Sequence, residues 1–318
     1  MSIMSKQNKV IAILTADWHL SHNPPVWRSA EPDWYLAMKR PLDEIQELQS
    51  KYKCPVLCAG DIFDKWNSPA ELINFAIQFL PTCIYAIPGQ HDMPEHNIEN
   101  IHRSAYETLV RAEKIENMSP LTFHPTKRIT VAAFPFGKKI KAIKKGTECK
   151  LHIAIVHDYV WSGKHRYPNA PTNKNINIQR ADTNKFINNK YYGYDVIVYG
   201  DNHKGFTDHV GDTVIWNCGT LMRRKSDEIN YKPKVGLLFS NGVVEPYYLD
   251  QSQDKHLTTE QAKDLVEQST IDFRKFAKEM ASLGDTELDF KEMWKQYCQI
   301  NKVSKVIDNI VWNAMIGE

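Results

Sequence analysis

Five short apolar runs in this chain each end on carboxylate, imidazole or amide side chains. Val10–Leu14 leads to Asp17 and His19, and Pro55–Ala59 to Asp61. Cys83–Ile87 leads to Gln90 and His91, Leu151–Val156 to His157, and Asp195–Tyr199 to Asp201 and His203. Runs this short, bounded by Pro, Gly and polar residues, suit buried strands rather than helices. In open α/β sheets, ligands gather just past the carboxyl ends of strands. Gly60 closes the second run, which puts Asp61 at such an end, where one carboxylate can bridge two cations. A lone G-D-x-x-D segment reads equally as a strand followed by an Asp-containing turn. Five runs ending alike point instead to a ligand set of the kind that Mn, Fe or Zn ions accept.

The segments between the runs read as helices and loops. His22–Pro32 is a polar, Pro-containing loop. A helix is expected from Asp33 to Ser50, kinked at Pro41 or restarted there with Pro41 in a first turn. Ser68-Pro69-Ala70-Glu71 reads as a capping box opening a second helix, and Ile98–Arg111 as a third. Ile129–Phe134 and Thr213–Trp216 are further strands. Val235–Phe239 and Val243–Tyr248 flank Ser240-Asn241-Gly242, a hairpin signal. Lys138–Lys145 is a basic run, read as a solvated face or as a phosphate contact. Residues 162–190 form a long polar loop or lid. After Leu249 the pattern turns helical: Thr258-x-x-Gln261 caps a helix reaching about Leu283, and Phe290, Met293, Trp294 and Tyr297 share helical spacing. The chain thus divides into residues 1–250 and a helical extension, 251–318.

Charge narrows the function classes only slightly. The net charge is +2 over 318 residues, but 1–250 carries 31 basic against 26 acidic residues and 251–318 carries 9 against 12. An anionic substrate in the larger part is weakly favoured. The six cysteines are scattered without a C-x-x-C pair, as in a reducing compartment. No signal peptide or membrane-spanning run is visible, so a soluble, cytoplasmic protein is expected.

The ordered blocks D-W-H (Asp17–His19), G-D-I-F-D (Gly60–Asp64), G-Q-H-D (Gly89–Asp92), V-H-D (Val156–Asp158) and G-D-N-H (Gly200–His203) resemble those of the calcineurin-like metallophosphoesterase superfamily. The resemblance covers about residues 10–220. Thr15–Leu20, Pro88–Pro94 (P-G-Q-H-D-M-P) and Asn217–Leu221 are most similar to the SbcD-like DNA double-strand-break repair exonucleases. The resemblance implies an α/β fold of two facing mixed β-sheets flanked by helices, with the small helical C-terminal unit appended. It also implies two divalent metal ions. Asp17, His19 and His203 would hold the first and Gln90, His157 and Asp201 the second, with Asp61 bridging. His91 would act on the scissile phosphate and Asp92 would orient His91. Two cations roughly 3.5–4 Å apart can acidify a shared water and polarise a phosphate, which requires a bridging carboxylate between them.

Two positions depart from the family pattern. Gln90 stands for Asn, and Asp201 for the first His of G-H-x-H. A carboxylate at 201 favours Mn²⁺ or Mg²⁺ over Zn²⁺, with Fe²⁺ also compatible. His22, Trp18, Trp161 and His165 flank the blocks and are candidates for substrate contact; the tryptophans could stack unpaired bases or pack the cleft wall. The expected activity is a metal-dependent DNA exonuclease or endonuclease. A phosphodiesterase or phosphatase for small molecules or phosphoproteins competes with it, as does a non-catalytic scaffold on the same fold. The nuclease relatives work with a coiled-coil ATPase. This chain carries no phosphate-loop motif, so that subunit would be separate and residues 251–318 would dock it, mediate homodimerisation or cap the domain.

Overall fold

The computed structural model describes residues 8–118, 123–126, 129–143, 150–162, 193–258, 260–262, 290–305 and 307–309. Twelve strands form two six-stranded sheets. The first contains β1 (Val10–Thr15), β2 (Val56–Cys58), β3 (Ile84–Ala86), β4 (Ile115–Asn117), β11 (Lys234–Phe239) and β12 (Val244–Tyr248), in the order β12-β11-β1-β2-β3-β4. The second contains β5 (Phe123–Thr126), β6 (Ile129–Phe134), β7 (Leu151–His157), β8 (Val196–Gly200), β9 (Phe206–Val210) and β10 (Thr213–Asn217), ordered β5-β6-β7-β8-β10-β9. Strands β1 to β4 run parallel, as do β6, β7, β8 and β10, and antiparallel pairs form three of the four edges, the fourth being the parallel strand β4. The expected two mixed sheets flanked by helices are therefore the observed architecture.

Side chains alternate between two cores, as the period of two along a strand requires. From β1, Ala12 and Leu14 face the second sheet and meet Val131, Ile153, Ile155, Val198 and Trp216. Ile13 points the other way, into a core shared with α1 (Trp34–Tyr52), α2 (Ala70–Phe79) and α3 (Ala105–Arg111). A third cluster, including Ala154, Val156, Ile197 and Tyr199, covers the outer face of the second sheet. The sheets approach closely at Gly236, where an added Cβ would lie 2.8 Å from the Trp216 indole.

Several local expectations are corrected. Helix α1 is unbroken through Pro41, with Asp33 capping it by accepting from Leu36 N at 2.9 Å. The backbone hydrogen bond that proline forfeits costs about 3 kcal/mol. Leu42, the next residue, and Ile45, one turn on, are fully buried; each contributes ~1.5–3 kcal/mol and together they offset it. Helix α2 is capped at Pro69 without a side-chain bond, because Ser68 Oγ donates to the Lys65 carbonyl instead. The helix expected over 98–111 is a 3-10 helix, Ile98–Arg103, followed by α3. Ser104 adopts an extended backbone there and caps α3 by accepting from Glu107 N at 3.1 Å. Strands β4, β5 and β9 went unread in the sequence.

The described chain divides into two compact units. The first comprises residues 1–24 and 31–254, and the second joins Pro25–Ala30 to Lys255–Glu318. In the second unit Leu257 N donates to Trp27 O at 3.0 Å, and the Trp27 ring stacks on His256. Thr258 and Gln261 exchange the reciprocal bonds of a capping box. Helix α4 (Phe290–Asn301) carries Trp294, which is buried and donates to Asp308 at 2.8 Å. The helix expected to reach Leu283, the loop over 163–190 and Lys144–Lys145 lie outside the described residues, while Lys138, Lys139 and Lys141 are exposed. No described helix is long and apolar enough to cross a membrane.

Candidate metal centre

The strand ends converge through backbone conformations that side chains usually avoid. Asp17, His19, Asp61 and Asp201 have φ of 52°, 45°, 54° and 82°. Strain of this kind persists only where surrounding contacts over-determine it, and it clusters at functional sites. Here the contacts are visible: Asp17 N donates to Gly60 O at 2.9 Å and His19 N to Asp61 O at 3.0 Å. The glycines of the blocks are close-approach positions. A Cβ at Gly89 would lie 2.1 Å from Asp61 Oδ1, and one at Gly200 would lie 2.4 Å from the Ala59 carbonyl oxygen.

All seven residues expected as ligands lie in one continuous cluster. Ligand atoms of Asp17, His19 and Asp61 fall within 4.8 Å of one another. Asp61 Oδ2 is 3.4 Å from His157 Nε2 and 3.7 Å from His19 Nε2. His19 and His203 face each other Nε2 to Nε2 at 3.0 Å. Asp201 N donates to both Asp17 oxygens, at 3.0 and 3.1 Å, and Gln90 Nε2 donates to Asp201 Oδ1 at 2.6 Å.

The donor atoms fit a divalent cation. His157 Nδ1 lies 2.5 Å from the Ala59 carbonyl, which can only accept, so Nδ1 carries the proton. In the neutral ring that leaves a lone pair on Nε2, facing a carboxylate oxygen. Asp61 Oδ2, His157 Nε2 and Gln90 Oε1 are all buried without a hydrogen-bond partner among the described residues. Buried polar atoms are normally satisfied, and a cation beside Asp61 Oδ2 and His157 Nε2, 3.4 Å apart, would satisfy both.

The charge balance of the metal-free cluster points the same way. Burial pushes Asp17 up to about 7 and His19 down to about 3. Burial also opposes a charge on His157, but the Asp61 carboxylate outweighs it and raises the imidazole to about 10. Asp61 is held below the usual carboxylate range: burial works against this, and His157 and His19 overcome it. A proton on His157 thus occupies the electrostatic role a cation would take.

Around this cluster, other expected residues are placed differently. His91 N donates to Asp61 Oδ1 at 2.9 Å, and its Nδ1 lies 2.8 Å from the Asp64 carbonyl. The His91 ring is exposed and sits edge-on to His19, with centroids 4.9 Å apart. Asp92 does not orient it. The fully buried Asp92 carboxylate accepts from Ile62 N, Phe63 N and Gly89 N at 3.3, 3.0 and 3.0 Å. Its role is to tie the Asp61 turn to the Gln90 turn. Trp18 is also corrected: it is fully buried in the core, donating to Thr15 Oγ1 at 2.5 Å, and has no face to offer a base. His22 is exposed and pairs with Tyr35 Oη at 2.9 Å, Trp161 is half-buried, and His165 lies outside the described residues.

Three residues were not singled out from sequence. Asp64 sits 3.4 Å from His19 Nδ1 and 2.8 Å from Arg224 Nη1. Glu228 sits 3.3 Å from His203 Nδ1. Asp64 is the last residue of G-D-I-F-D and was legible as part of that block. Arg224 lies in a loop and Glu228 ends the short 3-10 helix Ser226–Glu228 that follows it, neither within a motif.

A model of the calcineurin-like phosphoesterase family matches residues 12–205. The chain belongs to that family. The family uses divalent metals. No curated protein matches its sequence. Among solved structures, it is similar to a Staphylococcus aureus chain provisionally assigned as a 5'-nucleotidase, at 12% identity and a TM-score of 0.46, over 81% of this chain and 58% of that one. It therefore spans less than two thirds of that relative's length. It is also similar to an archaeal phosphodiesterase (12% identity, TM-score 0.37, 75% of this chain and 99% of that one). A phosphopantetheinyl hydrolase from Mycobacterium tuberculosis is a further match (10% identity, TM-score 0.39, 77% and 98% covered).

Proposed function

We propose that this metallophosphoesterase hydrolyses phosphodiester bonds in DNA, as a nuclease of the SbcD-like repair type. The observation that carries the reading is the setting of His91. Its backbone is tied to Asp61 and its Nδ1 to the Asp64 carbonyl, while its ring is exposed beside the ligand cluster. That leaves Nε2 for a phosphate oxygen, and an imidazolium there can donate a proton to a departing alkoxide. The resemblance of Pro88–Pro94 and Thr15–Leu20 to the repair nucleases supports DNA as substrate.

In this reading Asp17, His19 and His203 hold one cation, Gln90, His157 and Asp201 a second, and Asp61 bridges. Mn²⁺ is the best activator, because Asp201 supplies a hard oxygen where the family pattern has imidazole. When bound, the cations supply Lewis-acid polarisation of the phosphate and an acidified water. The chain's own residues do the rest: Ala59 O fixes the His157 tautomer, Asp92 holds the two turns in register, and His91 meets the scissile group. Residues 251–318 dock a separate ATPase subunit of the coiled-coil type, and the enzyme works in the cytoplasm.

The test is digestion of end-labelled single- and double-stranded DNA with Mn²⁺, beside a chromogenic phosphodiester. Cleavage of DNA that disappears in Asp61→Ala supports the nuclease reading. Turnover of the chromogenic diester with intact DNA would move the substrate to a small phosphodiester. No turnover of either would favour a non-catalytic scaffold.

A further inference from the structure

His19 and His203 come from different strand ends, yet one small segment, Arg224–Glu228, holds the Nδ1 of His203 and the carboxylate nearest the Nδ1 of His19. Arg224 is 8% exposed and Glu228 2%. Arg224 Nη1 lies 2.8 Å from Asp64 Oδ1, and the same oxygen is 3.4 Å from His19 Nδ1. Glu228 Oε1 lies 3.3 Å from His203 Nδ1. The other Glu228 oxygen accepts from Arg224 N at 2.6 Å and Lys225 N at 3.1 Å. His203 Nδ1 therefore has a carboxylate partner in Glu228, while His19 Nδ1 is buried with Asp64 Oδ1 near it but outside hydrogen-bond geometry, and Arg224 joins the two carboxylates, one through its guanidinium and the other through its backbone. The loop is itself anchored to the cluster: Thr220 Oγ1 donates to Asp17 O at 3.0 Å and Thr220 N to His203 O at 3.2 Å.

A carboxylate at Nδ1 selects the tautomer that leaves Nε2 free to ligate, and it fixes the plane of the ring. Here both rings are set so that their Nε2 atoms converge at 3.0 Å. The other half of the cluster is supported differently. His157 Nδ1 is held by a backbone carbonyl, and Gln90 and Asp201 hold each other side chain to side chain.

We propose that Arg224 and Glu228 are positioning residues that, with Asp64, preform the cation site of His19 and His203 and leave the Gln90/His157/Asp201 site untouched. This rests on the two-cation reading above and adds the device that sets the affinity of one position.

The test is Mn²⁺ titration of metal-free protein, followed by calorimetry and by the loss of the free-ion paramagnetic resonance signal. The variants are Glu228→Gln, which keeps shape and removes charge, and Arg224→Met, which keeps the apolar stem and removes the guanidinium. Wild type should take up two Mn²⁺ in separable steps. Each variant should weaken one step by about 10–100-fold, the usual effect of removing a partner behind a ligand, and leave the other within twofold. Gln90→Ala should weaken the other step. Two unchanged steps in Glu228→Gln, or weakening of the same step that Gln90→Ala weakens, overturn the proposal. So does equal weakening of both steps, including by loss of the fold, which would make the loop merely structural. Wild type that binds no Mn²⁺ would instead overturn the two-cation reading itself.

Discussion

His19 and His203, 184 residues apart in sequence, place their Nε2 atoms 3.0 Å from each other. One of these nitrogens can donate to the other, but only while no cation lies between them. Binding must therefore replace this contact, and the geometry of the pair should respond to loading.

Metal stoichiometry follows first. Protein loaded with Mn²⁺ and desalted should retain near two equivalents by elemental analysis. Asp61→Ala should lose metal and activity together, since Oδ2 of that residue faces both His157 and His19. Asp201→Ala should keep close to one equivalent. An Asp201→Ala protein that keeps two would remove Asp201 from the ligand set.

His91→Ala separates chemistry from metal binding. The ring is exposed and its nitrogen contact is to a backbone carbonyl, so stoichiometry should be unchanged. Turnover of a diester should fall by about 10²–10⁴-fold, the scale of a positioned acid–base group. Loss of metal in this variant would make His91 a ligand.

The metal-free protein should lose thermal stability as pH rises from about 6.5 to 8.5. His157 is raised in the folded state from 6.5 to about 10, with burial opposing and the Asp61 carboxylate prevailing. A raised group stabilises fully below its unfolded value, and that contribution fades as pH climbs toward the folded value. Asp17, raised by burial from 3.8 to about 7, acts in the same direction at lower pH, its contribution being lost before pH passes about 7. Mn²⁺ binds the deprotonated ligands, so saturating metal should flatten or reverse the slope. Melting curves with chelator and with Mn²⁺ provide the comparison.

Gly89→Ala should damage the centre without touching a ligand. The new Cβ would meet Asp61 Oδ1 at 2.1 Å, forcing the Asp61 side chain or the Gly89 turn to move. Overpacking of this kind costs about 1–3 kcal/mol. A lower melting temperature should accompany weaker Mn²⁺ binding, whereas Gly137→Ala, with nothing within 4 Å of the added Cβ, should leave metal binding intact.

Truncation after Asp254 should leave metal binding and small-diester turnover, because every expected ligand lies in the unit that ends there. A stop after Asp250 should be less stable, since it removes the Asp254 carboxylate that pairs with Arg40 at 3.2 Å. Circular dichroism melts of the two truncations check the difference.

Much of this was readable because strand ends are written locally. A run such as Val56–Cys58 buries every side chain, and the glycine and Asp that follow announce the turn. Edge strands carry no such signal: β9 alternates buried and exposed residues, as Phe206-Thr207-Asp208-His209-Val210. Pro41 looked like a boundary because the packing that overrides it comes from residues distant in sequence. Asp92 looked like a partner for His91 because the two are adjacent, whereas its partners are Gly89 N, three residues back, and two N–H groups of the Asp61 turn, some thirty positions away. Arg224 and Glu228 were invisible for the same reason, since nothing near them in sequence tells which histidines they face.

The second unit has a consequence for how the chain is made. Its two pieces, Pro25–Ala30 and Lys255–Glu318, are separated by the whole of Glu31–Asp254. At ~5–20 residues per second, synthesis of that stretch takes roughly 10–45 s. For that interval Trp27 has left the ribosome and His256, the ring on which it stacks, does not yet exist. A nascent chain therefore carries Pro25–Ala30 without its partner segment until the residues from Lys255 onward have been made.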